Sequence, residues 1–599
     1  MSLPLILNLQ TQPCLTSQAQ SPKSAPFKAA TRSYATRNTV LSASTQNCDS
    51  LIARRSANYH PNIWDFEFVQ SLSSKYTELK YVALRNGLKE KVKDQFYDMD
   101  MGSLKQLELI DVLQKMGIGY HFQKEILASL DTVIAKSKSF VTEENLHATS
   151  LSFRLLRQHG YQVSQDIFLG FVDENGNFNP NLSDDIKGLL SLFEASHLSV
   201  EGESIMEEAK LFSRTHLENI RNPIPPKLDI QVSHALELPL HWRMLRLDAR
   251  WHIESDITSD DNTASDLIQL AKIDFNILQA TYQNDLKEIS RWWVELGLGS
   301  HAQLGFARDR LMENFLWTIG VDFYPQNSYS RKGSTKVNAL ITILDDVYDV
   351  YGSLEELVLF TEAVERWDIN AIEELPYYMK ILFLALYNTV NEIGYVTLKE
   401  QGFNITRYLR KLWTDLCKAY LVEAKWYYKR YTPTLEEYLS NAWVSISGPV
   451  ILFHAYFLSK HVITKEALQS IEVYPDIICW SSMILRLAND LGTSPAELGR
   501  GDVPKSIQCY MHEKGCSEES ARKHIRYLIS ETWKKMNKDR IDDSIFPQPF
   551  LEVAVNLSRM AQCMYQYGDG HGIQDRGTKD RVISMLVEPI TLVMDYSLN

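Results

Sequence analysis

The sequence predicts an all-α protein with two helical domains, and three observations support that fold class. At 599 residues the chain exceeds the usual size of a single hydrophobic core, so we expect two domains. Apolar residues recur at helical spacing in segments such as 104–112 and 151–156. From Leu267 onward the helical period dominates and β-strand alternation is nowhere sustained, so a bundle of packed helices is the natural fold.

Composition narrows the class of protein. Hydrophobic residues make up 45% of the chain and aromatic residues 11%, which is enough for sizeable cores. The formal net charge of −13 argues against nucleic acid as a partner. The sequence shows no charge-free run of about 20 apolar residues, so no membrane span is expected. The seven cysteines form no CxxC pair, which predicts reduced thiols.

The first 50 residues are predicted to be a plastid transit peptide and to lie outside the fold. Residues 1–48 contain no Asp or Glu, 13 Ser or Thr and four Lys or Arg. A basic, hydroxyl-rich leader without acidic residues is typical of import into an organelle. A merely disordered tail is the alternative.

Residues 51–265 are predicted to form an N-terminal helical domain with an N-terminal arm, and residues 266–599 a C-terminal helical domain that carries the candidate functional residues described below. Turn signals at 117–119 and 173–177 separate amphipathic helices in the first domain. The prolines of segment 222–226 break helix continuity. The polar, acidic stretch 256–266 is the expected junction.

The stretch Asn338 to Gly352, NALITILDDVYDVYG, joins an apolar run to three aspartates. On a helix Asp345 and Asp349 are four residues apart and share a face, whereas Asp346 points roughly 100° away. Carboxylates at a buried helix end repel one another and lose hydration, so they need a cation. Such hard oxygen ligands suit Mg²⁺ or Mn²⁺, and Mg²⁺ often takes further ligands from a substrate phosphate. A solvated acidic helix end is the alternative.

A second stretch, Ile484 to Glu497, reads ILRLANDLGTSPAE and carries side-chain oxygens at helical spacing. Asn489, Thr493 and Glu497 follow one another at four-residue intervals, which places them on one stripe of a helix. Pro495 predicts a break or kink at this point. By itself the pattern also fits an ordinary polar helix end.

Together the two stretches resemble the class I terpene synthase signature. Residues 345–349 match its DDxxD motif, and residues 489–497 match its (N/D)Dxx(S/T)xxxE motif at every fixed position. The resemblance extends from Arg54 to the C-terminus and is similar to the plant monoterpene synthase branch. It implies a barrel-like helical N-terminal domain, a C-terminal class I terpenoid synthase bundle, and three Mg²⁺ ions with Mn²⁺ as substitute. The implied metal ligands are Asp345, Asp346, Asp349, Asn489, Thr493 and Glu497.

Basic residues near these motifs match family positions that contact diphosphate. Arg308 and Arg310 form an RxR motif shortly before the DDxxD, and guanidinium groups suit phosphate geometry. An RDR tripeptide alone also fits a surface ion pair. Arg486 shares nearly the same helix face as Asn489, and Lys505 follows on a loop. The implied diphosphate-binding set is Arg308, Arg310, Asp345, Asp349, Arg486, Asn489 and Lys505.

The pair Arg54-Arg55, followed after eight residues by Trp64, matches the family's RRx8W motif. The resemblance implies an extended arm that folds over the active site and assists isomerisation of the substrate to a tertiary allylic diphosphate. That role favours a cyclising monoterpene synthase. Without the resemblance, composition alone would predict that both arginines are solvated.

Aromatic and polar residues are candidates for the pocket that holds the carbocation. Trp317 and Tyr565 match pocket aromatics of the family, and each aromatic face attracts a cation by about 0.5–2 kcal/mol. Asn338 is implied to face the pocket and to steer a cation or position a water molecule. Asp569 and His571, in a glycine-rich stretch implied to form a lid, are candidate bases or structural lid residues. The implied catalytic set is Arg54, Arg55, Trp317, Asn338, Tyr565 and Asp569.

These inferences predict a monomeric enzyme of the plastid stroma that ionises and cyclises geranyl diphosphate and releases diphosphate. Water capture through Asn338 would give terpineol or cineole, and deprotonation would give limonene- or pinene-like olefins. The alternatives are an acyclic, linalool-type synthase, a sesquiterpene synthase acting on farnesyl diphosphate, or an inactive helical scaffold. A single DDxxD disfavours a chain-elongating enzyme, and the lack of a DxDD motif removes the proton-initiated class II cyclases.

Overall fold

The computed structural model describes residues 54–97, 103–136, 145–220, 223–255, 262–299, 304–542, 544–572 and 576–592. Within these ranges the fold is all-α, and the β structure consists of one isolated antiparallel bridge between Val172 and Phe178. The predicted transit peptide, residues 1–50, and the first part of the predicted domain junction, residues 256–261, lie outside the described residues.

The helices are grouped below, in chain order, by whether they precede or follow residues 256–261. The first group is α1 (Phe66–Ser71), α2 (Leu79–Gln95), α3 (Ser103–Lys115), α4 (Gln123–Lys136), α5 (Leu146–Gln158), α6 (Ile186–Ser196), α7 (Ser204–Glu218), α8 (Pro226–Glu237) and α9 (Leu245–Glu254). The second group begins with α10 (Asn262–Leu296), α11 (Leu311–Val321), α12 (Ser328–Asp346), α13 (Leu354–Arg366), α14 (Tyr377–Gln401), α15 (Thr406–Lys429) and α16 (Leu435–Ser445). It continues with α17 (Gly448–Leu458), α18 (Lys465–Ser470), α19 (Asp476–Arg500), α20 (Ser506–Lys514), α21 (Glu518–Ile541), α22 (Gln548–Tyr565) and α23 (Arg576–Val582). Two π-helical turns, Val347–Tyr351 and Ile583–Val587, follow α12 and α23 directly.

Apolar side chains from both groups pack into one extended cluster that runs from Trp64 to Ile590. Its largest fully buried members include Trp413 and Trp533. Helix α19 packs against α16, α17, α21 and α22. The burial of so many apolar residues holds the second group of helices in a fixed arrangement, because interiors of this kind are close-packed.

An extended arm, residues 54–64, lies against the C-terminal helices. Both terminal nitrogens of Arg54 donate to the carboxylate of Glu356, at 2.6 and 2.8 Å. Glu356 is also the N3 residue of the capping box that begins α13, in which Ser353 is the N-cap. Trp64 Nε1 donates to Glu313 Oε1 at 3.1 Å. Polar contacts therefore fix the arm at both of its ends.

The helix breaks just before Gly448-Pro449, since α16 ends at Ser445 and α17 begins at Gly448. Ser447 adopts a left-handed conformation with φ 66° between the two helices. A Cβ atom on Gly448 would stand 2.1 Å from Ser482 Oγ and 3.0 Å from Ser482 Cα. Only glycine permits α17 to approach α19 this closely.

Of the break or kink predicted at Pro495, the break does not occur, and the kink stays a prediction. Helix α19 continues from Asp476 to Arg500 with Pro495 inside it. Proline lacks the N–H that would bond the carbonyl of Leu491 four residues earlier. Arg522 on α21 donates to that carbonyl at 3.0 Å, and this contact supplies the missing hydrogen bond.

Composition predicted reduced cysteines and no membrane span. The described cysteines, Cys417, Cys479, Cys509, Cys516 and Cys563, are all free. Two segments, Tyr377–Gln401 and Leu435–Leu458, are long and apolar enough to cross a membrane by length and hydropathy. The apolar window of the first is 50% buried and that of the second 72% buried, as in core helices, so this is weak evidence for a span.

Candidate active site

A cavity of about 1150 Å³, counted out to its mouth, opens among the C-terminal helices. Carboxylates, amides and basic groups gather on one part of its wall, and aromatic and aliphatic side chains form the rest. The predicted site residues on this wall are Arg308, Trp317, Asn338, Asp345, Asp349, Arg486, Asn489, Thr493, Glu497, Lys505, Tyr565, Asp569 and His571. The two motifs, far apart in sequence, therefore meet at one cavity.

The aspartate motif lies where α12 passes into its π-helical turn. Asp345 and Asp349 both line the cavity. Burial, together with the neighbouring charge of Asp345, raises the pKa of Asp349 well above its ordinary value. Two carboxylates that oppose each other's ionisation in this way favour a bound cation.

Asp346 departs from the predicted ligand set, because it does not line the cavity. Its side chain is fully buried and contacts Arg308, whose backbone N and Nε donate to Asp346 Oδ2 at 2.7 and 3.1 Å. The helical period turns Asp346 away from the face shared by its two neighbours. Asp346 therefore positions Arg308 at the site.

The second motif occupies the stripe of α19 that faces the cavity. Asn489, Thr493 and Glu497 all line its wall, as their four-residue spacing predicts. Asp490, which follows Asn489, instead accepts hydrogen bonds from Tyr438 Oη and from the backbone N of Ser506. The motif thus divides into residues that face the cavity and one that anchors α19 to its neighbours.

The oxygen-rich part of the wall fits divalent metal. Glu497 Oε2 is buried and has no hydrogen-bond partner among the described residues, and the neighbouring donors are carboxylate, amide and hydroxyl oxygens. In the part of the chain that the structure describes, no three His, Cys, Asp or Glu side chains converge closely enough to hold a metal ion by themselves. This donor set suits ions that complete their coordination with water or substrate oxygens.

Three basic groups line the cavity, and each contacts a carboxylate. Arg308 donates to Asp345 Oδ2 at 2.7 Å. Arg486 lies 3.3 Å from Asp490, and Lys505 Nζ lies 3.1 Å from Glu423 Oε2. Paired and buried cations of this kind are held in place before a ligand arrives.

Arg310 also departs from its predicted position, because it does not line the cavity. The side chain is 1% exposed, and its NH2 group donates to the backbone oxygens of His60 and Gly572 at 2.9 and 3.2 Å. The first partner belongs to the N-terminal arm and the second to the glycine-rich stretch near the C-terminus. Arg310 therefore joins two segments that border the site.

Arg54 and Arg55 lie beside the cavity and do not line it. Arg55 donates to the backbone oxygen of Asp349 at 2.8 Å and to Asp502 Oδ1 at 2.7 Å. Its guanidinium lies over the ring of Tyr427, 4.2 Å from the centroid. The arm reaches the cavity through Tyr59, which is part of the wall. The arginines hold the arm at this position.

Three aromatic rings on the cavity wall lie against one another in tilted or edge-on arrangements. The centroid of Trp317 lies 6.0 Å from that of Tyr565 and 6.3 Å from that of His571. Burial, with Arg308 and Arg310 nearby, lowers the pKa of His571 to about 3, so its imidazole is neutral. His571 Nδ1 is buried without a hydrogen-bond partner among the described residues.

Asn338 contributes an amide to the same wall. Its Nδ2 donates weakly to Thr318 Oγ1 at 3.4 Å, and its Oδ1 is buried with no partner among the described residues. An unpaired acceptor in a cavity is a suitable contact for a water molecule or a cation.

Several wall residues were not singled out from the sequence. They are Tyr59, Asn314, Val321, Ile341, Thr342, Val350, Tyr420, Glu423, Ile451, Leu485, Asp502 and Leu557. Glu423 could have been noticed in the sequence, because it is a charged residue on the otherwise apolar face of α15. The structure shows that it is only 2% exposed. The aliphatic residues carry no such signal, because any core position would look the same.

Comparisons with known proteins point in one direction. Residues 63–236 match the family described as "Terpene synthase, N-terminal domain", and residues 296–535 match "Terpene synthase family, metal binding domain". The chain is 58% identical to a (-)-alpha-terpineol synthase of Vitis vinifera over 91% of this chain and 92% of that protein. It is 55% identical to a chloroplastic myrcene synthase of Quercus ilex, over 91% of each chain.

Solved structures agree with these matches. A limonene synthase crystallised with 2-fluorolinalyl diphosphate has a TM-score of 0.87 and 46% identity, and covers 90% of this chain and 100% of that one. Isoprene synthase from Populus x canescens, in complex with three Mg²⁺ ions and dimethylallyl-S-thiolodiphosphate, has a TM-score of 0.81 and 48% identity. That similarity covers 88% of this chain and 99% of that one.

Proposed function

The chain belongs to the terpene synthase family, and on that premise we propose that it ionises geranyl diphosphate and cyclises the resulting carbocation to a monoterpene. It is a lyase acting on a prenyl diphosphate. The observation that carries the proposal is the meeting of Asp345 and Asp349 with Asn489, Thr493 and Glu497 at the wall of a single cavity. The basic groups on the same wall complement a diphosphate.

Ionisation is assigned to the oxygen-rich part of the wall. Asp345 and Asp349 would hold divalent metal from one side, and Asn489, Thr493 and Glu497 from the other. Bound metal supplies Lewis-acid stabilisation of the leaving diphosphate. Arg308, Arg486 and Lys505 donate charge-assisted hydrogen bonds to the departing oxygens. Mg²⁺ is the proposed metal, with Mn²⁺ as a substitute.

Cyclisation is assigned to the inner cavity. The faces of Trp317 and Tyr565 stabilise the carbocation, while the arm held by Arg54 and Arg55 excludes water from the mouth. Loss of a proton ends the reaction. The neutral imidazole of His571 can accept that proton, because a carbocation is acidic enough to protonate even a weak base; Asp569 is the other candidate.

The unpaired oxygen of Asn338 favours water capture as one outcome of the reaction. A water molecule held there would add to the cation and lose a proton to give an alcohol such as terpineol. Reprotonation of the remaining double bond, attack by the hydroxyl oxygen and loss of that proton would give a cyclic ether such as cineole. In Asn338→Leu, which has a similar shape and no acceptor, we expect the share of oxygenated products to fall and that of olefins to rise. Gas chromatography of both proteins with geranyl diphosphate measures the ratio, and an unchanged ratio would contradict this role.

We further propose a plastid location, in the stroma, for a monomeric protein. The basic, acid-free composition of residues 1–48 supports import, and the related Quercus ilex protein is named chloroplastic. We also propose domain boundaries at 51–265 and 266–599. The alternatives are an acyclic, linalool-type synthase and a sesquiterpene synthase on the same fold.

Product analysis tests the proposed function. The purified protein is supplied with geranyl or farnesyl diphosphate, with and without Mg²⁺ or Mn²⁺, and volatile products are identified by gas chromatography. We expect cyclic ten-carbon products that require metal, and no products from Asp349→Asn. Acyclic alcohols only, or fifteen-carbon products only, would favour the alternatives. Full activity in Asp349→Asn would overturn the metal assignment.

A further inference from the structure

Glu423 places a negative charge on the cavity wall that neither metal motif supplies. The residue lies on α15, is 2% exposed and lines the cavity. Its Oε2 accepts a hydrogen bond from Lys505 Nζ at 3.1 Å. Lys505 is itself only 5% exposed, so the two charges form a buried pair at the wall.

The other oxygen of Glu423 connects it to a second cation. Ser445 Oγ donates to Glu423 Oε1 and accepts a hydrogen bond from Arg486 NH2 at 3.2 Å. One carboxylate therefore balances Lys505 directly and Arg486 through a hydroxyl. Both cations belong to the group assigned above to the diphosphate.

The carboxylates beside the other cations differ from Glu423. Asp346 and Asp490 contact Arg308 and Arg486, but neither lines the cavity. Asp345 lines it and belongs to the metal motif. Glu423 is ionised, because Lys505 and Arg486 outweigh the effect of burial and hold its pKa below the ordinary value.

We propose that Glu423 is a positioning residue that acts as an internal counter-anion, holding Lys505 and Arg486 at the wall and competing with diphosphate for Lys505. Without a ligand it stabilises the buried ammonium of Lys505 directly, and through Ser445 it adds to the stabilisation that Arg486 receives from Asp490. When diphosphate binds, Lys505 must give up its hydrogen bond to Glu423 to contact the ligand. The cost of breaking that contact reduces the net binding energy of diphosphate. Glu423 thereby limits how tightly the diphosphate product is retained. This inference rests on the proposed function, since it assumes that diphosphate occupies the cavity.

Binding of inorganic diphosphate to Glu423→Gln tests the proposal without turnover. Titration calorimetry with inorganic diphosphate in excess Mg²⁺ measures the dissociation constant for the wild type and for the variant. The amide still accepts from Ser445 but carries no charge, so Lys505 becomes available to the ligand. We expect the dissociation constant to fall by about ten- to hundredfold, the value of a hydrogen bond between charged groups. Thermal unfolding should show a lower midpoint without ligand and a larger ligand-induced rise than in the wild type.

A purely structural role for Glu423 predicts the opposite result. Lys505 would then lose its position, and the dissociation constant would rise or stay unchanged while the unfolding midpoint falls. Glu423→Asp keeps the charge and provides a second variant if the glutamine variant fails to fold; it should bind diphosphate no more tightly than the wild type. Tighter binding by Glu423→Asp would overturn the proposal.

Two further comparisons isolate the effect. Glu365→Gln removes an exposed carboxylate that contacts Lys418 at 2.6 Å, and it should leave diphosphate binding unchanged. In a Lys505→Met background, Glu423→Gln should no longer tighten binding, because the residue acts through Lys505. Tightening that persists in this background would overturn the proposal. If wild-type protein neither binds diphosphate nor forms products, the proposed function fails instead.

Discussion

At the scale of single residues, neighbours in the sequence have different tasks. Asp345 and Asp349 line the cavity, whereas Asp346 between them contacts Arg308. Arg308 and Arg310 show the same division, because one faces the cavity and the other joins the arm to the glycine-rich stretch. A motif therefore identifies the neighbourhood of a site, and the direction of each side chain decides its role.

The two arginines should respond differently to the same substitution. Arg308→Met removes a cation from the wall, so we expect binding of inorganic diphosphate with Mg²⁺ to weaken by about ten- to hundredfold. Arg310→Met removes the donor to His60 and Gly572, so we expect little change in diphosphate affinity and faster proteolysis of the arm. Calorimetry and limited proteolysis check the two results. Equal losses of diphosphate affinity in the two variants would indicate that Arg310 also binds the diphosphate.

At the scale of elements, close approach of helices shapes the cavity wall. The break between α16 and α17 places Ser445, Ile446 and Ser447 at the wall, and it depends on the contact between Gly448 and Ser482. If a regular helix continued through this segment, the side chains of successive residues would point about 100° apart around the helix axis.

Gly448→Ala should therefore destabilise the protein by about 1–3 kcal/mol, the usual cost of overpacking. The matched control is Gly87→Ala on α2, where an added Cβ meets nothing within 4 Å. We expect that control to be neutral or stabilising by about 0.5–1 kcal/mol, because alanine loses less entropy in a helix. Chemical denaturation measures both variants, and equal stability of the two would contradict the packing argument.

At the scale of the whole molecule, the arm contacts residues that lie 302 and 447 positions further along the chain. Arg54 contacts Glu356 at the start of α13, and Arg55 contacts Asp502 beyond the end of α19. The arm thus bridges the segments that follow the two motifs, and we expect it to keep the mouth covered during the reaction.

Loss of the arm contact should affect the early reaction steps. For Arg54→Ala we expect weaker cyclisation of geranyl diphosphate and nearly normal cyclisation of linalyl diphosphate, which is already the tertiary isomer. Kinetics with the two substrates measure this difference. Equal losses on both would indicate a general effect on closure or folding.

Buried histidines make the stability of the whole molecule sensitive to acid. Burial lowers the pKa of His454 to about 4. Its Nδ1 is 2.7 Å from the oxygen of Val450 and its Nε2 accepts from Trp413 Nε1 at 3.2 Å, so the neutral ring is fully paired. Protonation of His454 Nε2 would place its N–H against the N–H of Trp413 Nε1, so two donors would face each other.

Because the folded pKa lies below that of an unfolded histidine, the unfolded state binds more protons as the pH falls below about 6.5. Stability is therefore lost between about pH 6.5 and pH 4, with His454 accounting for about 2 kcal/mol at pH 5. In His454→Gln we expect that part of the loss to disappear. Denaturation at pH 7 and pH 5 measures it, and an equal loss in both proteins would contradict the assignment.

The sequence alone predicted the class of fold and the two oxygen-bearing helix stripes that we propose as metal ligands. These depend on helical spacing, which is a local property of the chain. Tertiary structure alone decided that Asp346 and Arg310 leave the wall, that α19 continues through Pro495 with help from Arg522, and that Glu423 joins Lys505. Each of these outcomes depends on a contact between elements distant in sequence, and no local pattern specifies which side chains will meet when helices pack.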